Sequence, residues 1–425
     1  MKELYVSIER NGSMIPVGTI TGEDASSARF RYFEAYLEET GTPISISLPL
    51  QEDAFTAEQT ASFFEGLLPE GFTRRTVAQW MHVDEGDYLS ILHGLGHECL
   101  GAVCITQGSE AQDASYERIS EIQIQELAAE GAARSAELVT KSHLSLTGAS
   151  GKVGLYYDAS AEAWYLPHGT APSTHIIKQS HVRLEAIVTN ERLSLMTAAR
   201  CGLDTPDSFI INTGHAEEHE VLLATRRYDR MFEPDCPVIN GLPRPYRLHQ
   251  EDFAQAMGVP AAAKYERETG EYLKGMFDVL RKYSADPVSD QLKLWDIIAF
   301  DFLIGNTDAH IKNFSVLYGK DLKQIRLAPA YDIVSTVIYE QSTRDMAFRI
   351  GEVYSINEMS RESFRQAAGE IGIGERMAMR RFDAMADRFQ TALHESAEEL
   401  ADEGYLKAKE IENRILWKAG MAQLL

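Results

Sequence analysis

Residues 290–313 join a strongly apolar segment to a dense polar cluster, and this junction restricts the fold more than any other feature of the sequence. The stretch DQLKLWDIIAFDFLIG is apolar on most faces of a helix, so we expect a buried helix there. Gly305 ends it, as glycine often ends helices. Asp308, His310, Lys312 and Asn313 follow within six positions of one another. A loop that leaves a buried helix holds side chains rigidly, so this cluster is our candidate site.

Length and composition are those of a globular protein. The 425 residues suffice for two or three domains, and 44% of them are hydrophobic. No apolar run approaches the roughly 20 residues of a membrane-spanning helix. Charged residues, among them Glu3, Glu9 and Arg10, interrupt the stretch that a signal peptide needs. We therefore expect a soluble, cytoplasmic protein with no membrane partner.

The net charge of −23 argues against direct binding of nucleic acid, because an acidic surface repels phosphate backbones. It still allows a local basic patch, or a basic partner that holds DNA. The cysteines (Cys99, Cys104, Cys201 and Cys236) form no CxxC pair and no Cys/His cluster. We expect them to be buried thiols and not zinc ligands.

The order of patterns along the chain predicts an α+β protein with three parts. An N-terminal α+β module covers residues 1–106 and opens with a hairpin at Asn11-Gly12. The polar stretch 107–120 lacks periodicity and is predicted to be a linker. A sheet-rich lobe with one helix follows over 121–230, and a helical lobe covers 231–425. We expect one long helical segment from Glu375 onward.

The polar cluster has the spacing of a kinase catalytic loop. Asp308 and Asn313 are five positions apart, as are the kinase aspartate that takes the acceptor proton and the asparagine that binds Mg²⁺. Asp332, predicted at the end of a short apolar strand, matches the second metal ligand. Gly148 and Gly151 stand at a predicted turn between strands, where small residues let backbone N–H groups approach phosphate.

A kinase also needs a lysine on the next strand and a carboxylate to hold it. Lys178 lies on that strand in THIIKQ, and Glu191 on the following helix is the expected partner, with Glu185 as the second choice.

Two other interpretations of the loop remain open. Asp308 and His310 have the Asp-x-His arrangement of a hydrolase metal pair, although the only further ligand evident in the sequence is Asp332. The second alternative is a catalytically silent kinase fold that serves as a binding module.

Several motifs together resemble the HipA family of serine/threonine kinases, the toxins of HipBA-type toxin–antitoxin systems. They are FFEGLLPEG, LHGLGHECLGAV, SLTGASGKVGL, THIIK, RRYDR, RLHQEDFAQAMG, GNTDAHIKN and LAPAYDIVST, in this order. The resemblance spans nearly the whole chain. It implies a two-lobed protein-kinase-like fold with an extra N-terminal α+β module.

The resemblance assigns roles to individual residues. It implies that Asp308 is the catalytic base and that Asn313 and Asp332 bind Mg²⁺. The residues implied to contact ATP are Thr147, Gly148, Ala149, Ser150, Gly151 and Lys152 in the phosphate loop, Lys178, His310, Ile311, Lys312 and Tyr331 near the phosphates, and Arg226, Arg227 and Tyr228 near adenine.

This sequence departs from the family pattern in the phosphate loop and at the hinge. The family loop usually reads like AGAQEK, and here it is TGASGK. The hinge position that often carries an acidic residue is Arg226. Family members autophosphorylate a serine near the loop, and Ser145 or Ser150 would be that serine here.

The resemblance also implies a function. It is ATP- and Mg²⁺-dependent phosphorylation of a protein serine or threonine by the toxin of a type II toxin–antitoxin system. The expected substrate is an aminoacyl-tRNA synthetase, whose modification would inhibit translation, and the expected partner is a small helix-turn-helix antitoxin that supplies the DNA binding. A small-molecule or lipid kinase of the same broad fold is the alternative, next to the silent module.

Overall fold

The computed structural model describes residues 2–39, 41–108, 113–130, 138, 151–180, 184–212, 214, 221–267 and 270–420. The chain divides into two compact units. Unit 1 comprises residues 1–180, 211–262 and 317–325, and unit 2 comprises residues 181–210, 263–316 and 326–425. The domain boundaries predicted from the sequence differ from this division and stay a prediction.

Unit 1 begins with a four-stranded antiparallel sheet in the order β3-β2-β1-β4. Its strands are β1 (Lys2–Arg10), β2 (Ser13–Gly22), β3 (Arg29–Tyr32) and β4 (Val103–Thr106). Asn11 and Gly12 join β1 to β2 with φ of 50° and 82°, the positive values that a two-residue hairpin turn requires. The predicted hairpin is thus confirmed.

Four helices lie between β3 and β4 in the chain: α1 (Glu34–Glu39), α2 (Ala57–Phe64), α3 (Gly71–Met81) and α4 (Tyr88–Leu95). Thr56 and Gln59 form a capping box that starts α2. A 3₁₀ turn (Glu65–Leu67) and the Pro69-Glu70-Gly71 break separate α2 from α3, as the sequence predicts.

A second sheet of unit 1 has the strand order β5-β7-β6-β8-β10, with β9 beside β10 at its edge. The strands are β5 (Ser115–Ile119), β6 (Lys152–Asp158), β7 (Ala163–His168), β8 (His175–Gln179), β9 (Ser208–Asn212), along which the chain enters unit 1, and β10 (Val221–Arg226). Helix α5 (Glu121–Glu130) follows β5. The second half of the predicted linker over 107–120 contains β5, which pairs with β7; its assignment as a linker stays a prediction.

Short strands complete unit 1: β11 (Arg230–Met231) pairs with β14 (Tyr246–Arg247), and β12 (Val238–Ile239) with β13 (Leu242–Pro243). Strand β15 (Gln250–Asp252) leads into α7 (Phe253–Met257), and a 3₁₀ turn spans Ala261–Ala263. Strands β16 (Ser315–Tyr318) and β17 (Ile325–Leu327) lie where the chain enters and leaves unit 1.

A buried ion-pair network ties distant parts of unit 1 together. Glu98 accepts from Arg227 at 3.0 Å and from Arg230 at 2.9 Å, and all three side chains are at most 1% exposed. Asp229 forms an ion pair with Arg227 at 2.7 Å, and Arg247 forms ion pairs with both Glu98 and Glu9. Burial alone would raise the pKa of Glu98, but the three arginines lower it to about 2. The network therefore stays ionised at physiological pH.

A second tether in unit 1 involves the RLHQEDFAQAMG motif. The Nε2 of His249 donates to the Ile44 carbonyl at 2.7 Å. The carboxylate of Glu251 accepts from the Ser45 hydroxyl at 2.5 Å, the Ile46 N–H at 3.0 Å and the Tyr318 hydroxyl. Burial raises the pKa of Glu251 to about 7 against these donors. The motif thus holds a loop of the N-terminal segment in place.

Unit 2 is mainly helical. Its helices are α6 (Ile187–Arg200), α8 (Tyr272–Tyr283), α9 (Pro287–Ile304), α10 (Arg361–Ile371), α11 (Glu375–Asp402) and α12 (Lys407–Lys418), with the hairpin β18 (Asp345–Ile350) and β19 (Val353–Ser355). Helix α9 is buried along most of its length, as predicted, and Trp295 is fully enclosed. The final segment is two helices and not one, because Gly404 adopts a φ of 101° between them.

Two expectations from composition can be compared with the described residues. Cys99, Cys104 and Cys201 are buried free thiols, and Cys236 is partly exposed. Among the helices that the structure describes, none combines the length and the apolar character needed to cross a membrane.

Candidate catalytic site

Helix α9 ends in a left-handed glycine that sets the start of the polar loop. Gly305 has a φ of 78° and caps the helix by donating to the carbonyl of Asp301 at 3.0 Å. Its own carbonyl accepts from the N–H groups of Thr336 at 3.0 Å and Val337 at 3.2 Å. The N–H of Thr307 donates to the Thr336 hydroxyl at 2.8 Å. The first residues of the loop are therefore fixed to segment 336–337 of the same unit.

A buried carboxyl group at the end of α9 forms a hydrogen bond with the loop. Asp301 is 3% exposed, and the side-chain amide of Asn306 donates to its Oδ1 at 2.9 Å. Burial raises the pKa of Asp301 to about 7 despite this hydrogen bond. The Asp301–Asn306 pair thus joins the end of α9 to the loop.

Asp308 and Asn313 meet at the two ends of one tight turn. The side-chain amide of Asn313 donates to the backbone carbonyl of Asp308 at 3.0 Å, and the N–H of His310 donates to the same carbonyl at 2.7 Å. A 3₁₀ turn spans Ile311–Asn313. The side chain of Asp308 is exposed. The five-residue spacing therefore brings the Asn313 side chain onto the Asp308 backbone and leaves the Asp308 side chain exposed.

His310 is buried beside two lysines. Burial lowers its pKa well below 6.5, Lys264 and Lys312 lower it further, and Asp332 opposes them. The Nδ1 atom of His310 is buried and has no hydrogen-bond partner within the described ranges. A neutral imidazole therefore lies next to two lysines and the Asp332 carboxylate.

Asp332 approaches this loop from a neighbouring segment. The Tyr331 hydroxyl donates to the Lys312 carbonyl at 3.0 Å and lies 2.6 Å from the Ser315 hydroxyl. Asp332 itself has a φ of 57°, a left-handed value that costs energy in a residue with a side chain. The sequence predicted that Asp332 ends a short strand. This prediction is wrong, because β17 stops at Leu327.

The oxygen donors of the two residues predicted to bind a metal would suit Mg²⁺ better than zinc. An amide oxygen from Asn313 and a carboxylate from Asp332 are hard donors, and Mg²⁺ usually takes only one or two protein carboxylates together with substrate phosphates and water. In the described part of the chain, no three or more His, Cys, Asp or Glu side chains cluster as metal ligands would. A hydrolase built on Asp308 and His310 would need such a cluster.

The predicted phosphate-binding residues of unit 1 are only partly described. Thr147, Gly148, Ala149 and Ser150 lie outside the described residues, as does Ser145. Gly151 and Lys152 are buried at the start of β6. Lys178 lies on β8 directly opposite Lys152 on one side and Leu223 on the other. Two lysines therefore face each other across adjacent strands, next to the predicted loop.

One of the three residues expected to line an adenine pocket is used elsewhere. The guanidinium of Arg227 is fully buried in the ion-pair network with Glu98 and Asp229, so its side chain cannot contact a nucleotide. Arg226 is exposed, and the Tyr228 hydroxyl donates to Gln250. A contact of Arg227 with adenine would have to use its backbone.

Glu191 and Glu185, the two candidate partners of Lys178, differ in their surroundings. Glu191 is buried on α6. Glu185 is exposed and forms an ion pair with Lys407 at 2.9 Å, so its carboxylate is already engaged within unit 2. Glu191 stays the expected partner.

Lys264 and Tyr265 were not identified from the sequence. The Tyr265 hydroxyl donates to Asp308 Oδ1, and the charge of Lys264 lowers the pKa of His310. They lie about 45 residues before the loop in AAAKYERETG, a stretch without periodicity, so no local pattern marks them. The Asp301–Asn306 pair could have been found, since a carboxylate on a predicted buried helix needs a partner.

Comparisons with known proteins identify the family to which the chain belongs. The model of the HipA-like C-terminal domain matches residues 144–393, and that of the HipA N-terminal domain matches residues 12–106. Y4mE of Sinorhizobium fredii, a protein named as a candidate kinase, is 33% identical over 420 residues that cover 96% of each chain. The serine/threonine-protein kinase toxin HipA of Shewanella oneidensis is 24% identical and covers 92% of this chain and 89% of its own.

A solved structure shows the same fold. HipA in the complex of Shewanella oneidensis HipA, HipB and operator DNA superposes with a TM-score of 0.78 at 21% identity, over 97% of each chain. The α+β, kinase-like fold with an N-terminal module is therefore confirmed. With both family models matched in order along the sequence, this chain belongs to the HipA family of kinases.

Proposed function

We propose that this protein is an ATP- and Mg²⁺-dependent serine/threonine protein kinase. The observation that carries the proposal lies in unit 2, where Tyr331 ties the segment of Asp332 to the loop of Asp308 and Asn313. The exposed Asp308 would accept the proton of the acceptor hydroxyl. Lys264 and Lys312 add positive charge where phosphates would bind, as their effect on His310 indicates.

The residues present fit the group that a kinase needs. Asn313 and Asp332 would hold Mg²⁺, which would neutralise charge on the nucleotide phosphates. Lys178 and the loop 147–152 would contact the phosphates, with Glu191 holding the lysine. Phosphorylation of Ser145 or Ser150 by the protein itself would restrain the kinase, because a dianionic phosphoserine competes with ATP phosphates for the same donors.

The cellular role proposed here follows the relatives. One relative is named a kinase toxin, and the structural neighbour is a complex with HipB and operator DNA. We propose that this chain is the toxin of a type II toxin–antitoxin system. Its partner would be a small helix-turn-helix antitoxin that binds DNA for both, and its substrate would be a protein such as an aminoacyl-tRNA synthetase, whose modification inhibits translation.

A phosphorylation assay with the purified protein tests the enzyme. Incubation with γ-labelled ATP and Mg²⁺ should label the protein, and chelation of the metal should abolish labelling. Asp308→Ala should lose about 10²-fold or more of the activity, because both orientation and proton acceptance are removed. Asp278→Ala, which removes an exposed carboxylate from α8 of the same unit, should leave activity unchanged. Equal labelling of wild type and Asp308→Ala would refute the assignment.

Mass spectrometry tests self-restraint and substrate class. Wild-type protein should carry phosphate on Ser145 or Ser150, and Asp308→Ala protein should carry none. Phosphate confined to sites outside residues 140–152 would argue against restraint at this loop. Phosphoproteomics after expression should show new phosphoserine or phosphothreonine on a protein, whereas a phosphorylated small molecule or lipid would favour the alternative kinase.

A further inference from the structure

Tyr265 contacts the proposed catalytic base directly. Its hydroxyl donates to Asp308 Oδ1 at 2.5 Å, and the residue is 43% exposed. Both residues belong to unit 2, although 43 positions separate them in the sequence. The contact therefore depends on the tertiary fold and not on a local turn.

The ring of Tyr265 is held by its neighbours. The His310 ring meets it edge-on, with centroids 5.3 Å apart and an interplanar angle of 85°, and the Lys264 ammonium lies 5.4 Å from its centroid. These ring contacts restrict the orientation in which Tyr265 presents its hydroxyl.

The backbone next to Tyr265 is also fixed. The N–H of Glu266 donates to the Ala347 carbonyl at 2.8 Å, and its carboxylate accepts from the N–H groups of Arg349 at 2.7 Å and Tyr272 at 3.0 Å. Glu266 is 8% exposed, so these bonds are shielded from water. Tyr265 is thus anchored to β18 and to the start of α8.

An exposed carboxylate without such support could rotate freely about its side-chain bonds. A hydrogen bond from a fixed donor restricts that rotation and stabilises the ionised form. A general base needs both, because it must face the acceptor hydroxyl and be unprotonated when the hydroxyl arrives.

We propose that Tyr265 is a positioning residue for phosphoryl transfer, holding Asp308 through Oδ1 so that Oδ2 faces the acceptor. The acceptor O–H bond breaks and its proton passes to Asp308, while the acceptor oxygen forms a bond to the γ-phosphorus. The bond from that phosphorus to the β–γ bridging oxygen breaks, and ADP leaves with the electron pair. Tyr265 itself neither gains nor loses a proton. This inference rests on the proposed kinase function.

Tyr265→Phe tests the proposal, since it removes the hydroxyl and keeps the ring against His310. We expect kcat to fall about 10-fold with the KM for ATP unchanged. A fall in kcat at unchanged KM indicates a misplaced catalytic group, because nucleotide binding is retained. A purely structural role would lower the free energy of unfolding and would not separate kcat from KM in this way.

Two controls make the result specific. Tyr283→Phe removes a hydroxyl from the end of α8 in the same unit and should leave kcat and KM unchanged. In the Asp308→Ala background, Tyr265→Phe should cause no further loss, since the two residues act as one pair.

The results for Tyr265→Phe and Asp308→Ala separate two claims, the role of Tyr265 and the proposed kinase function. An unchanged kcat in Tyr265→Phe would overturn the proposal, and so would an increase in kcat, which would mean that the hydroxyl competes with the acceptor. If Asp308→Ala is as active as wild type, the proposed function fails. If only Asp308→Ala is inactive, the function stands and the role of Tyr265 falls.

Discussion

Replacing Gly305 by alanine tests how tightly the end of α9 sets the polar loop. A Cβ at this position would lie 2.3 Å from Val337 Cγ2 and 2.9 Å from the Ala419 Cβ. Val337 is fully buried, and its N–H binds the Gly305 carbonyl, so it cannot move aside without breaking that bond. The backbone φ of 78° is also strained for any residue with a side chain.

The expected cost follows from these two effects. Left-handed backbone in alanine costs about 1–2 kcal/mol, and overpacking of a filled core costs about 1–3 kcal/mol. We therefore expect Gly305→Ala to lower the free energy of unfolding by about 2–5 kcal/mol. Activity should fall further than stability predicts, since a shift of about 1 Å in a catalytic group can cost about 10²-fold in rate.

Gly372→Ala is a matched control for the backbone effect. Gly372 caps α10 in the same left-handed conformation, with a φ of 72°, but its nearest neighbour would be the end of the flexible Arg281 side chain at 3.6 Å. Urea unfolding of both variants should show that Gly305→Ala costs about 1–3 kcal/mol more than Gly372→Ala. Equal losses would refute the claim that close packing fixes the loop.

Three further predictions concern charged groups. Burial raises the pKa of Glu251 from 4.5 to about 7, so its contribution to stability is fully present below pH 4.5 and is lost as pH rises through about 7. The fall in unfolding free energy between pH 5 and 8 should therefore be smaller in Glu251→Gln than in wild type, by up to about 3 kcal/mol. Identical pH slopes in the two proteins would contradict this. Glu98→Ala should destabilise the protein by about 3–5 kcal/mol, because it leaves buried arginines uncompensated, and calorimetry that detects a loss under 1 kcal/mol would count against it. Asp332→Ala and Asn313→Ala should both weaken binding of Mg²⁺ with a non-hydrolysable ATP analogue in titration calorimetry, and unchanged affinity in both would place the metal elsewhere.

Features set by neighbouring residues could be predicted from the sequence. The hairpin at Asn11-Gly12 and the end of α9 at Gly305 depend on backbone freedom that glycine and asparagine supply locally. The pairing of Asp308 with Asn313 follows from five-residue spacing in a turn. The order of the HipA-like motifs along the sequence was enough to predict the fold and the family, and both are confirmed.

Features that depend on distant partners could not be predicted. Only Tyr116 and Ile119 of β5 are buried, so the strand lacks regular alternation, and its partner β7 begins 44 positions later. The buried role of Arg227 requires Glu98, which is 129 positions away. Tyr265 likewise contacts Asp308 only through the fold. Pattern analysis examines a window of neighbours, and these contacts lie outside any such window.

The ion-pair network of unit 1 has a consequence for synthesis of the chain on the ribosome. Glu98 emerges 149 residues before Arg247, and Glu9 emerges 238 residues before it. At about 5–20 residues per second, Glu98 waits roughly 7–30 s for its last arginine. During that interval the N-terminal segment carries carboxylates that its final packing would bury without counter-ions. We therefore expect this segment to stay open until residues 227–247 have left the exit tunnel, and ribosomes that pause before that point should leave it sensitive to protease.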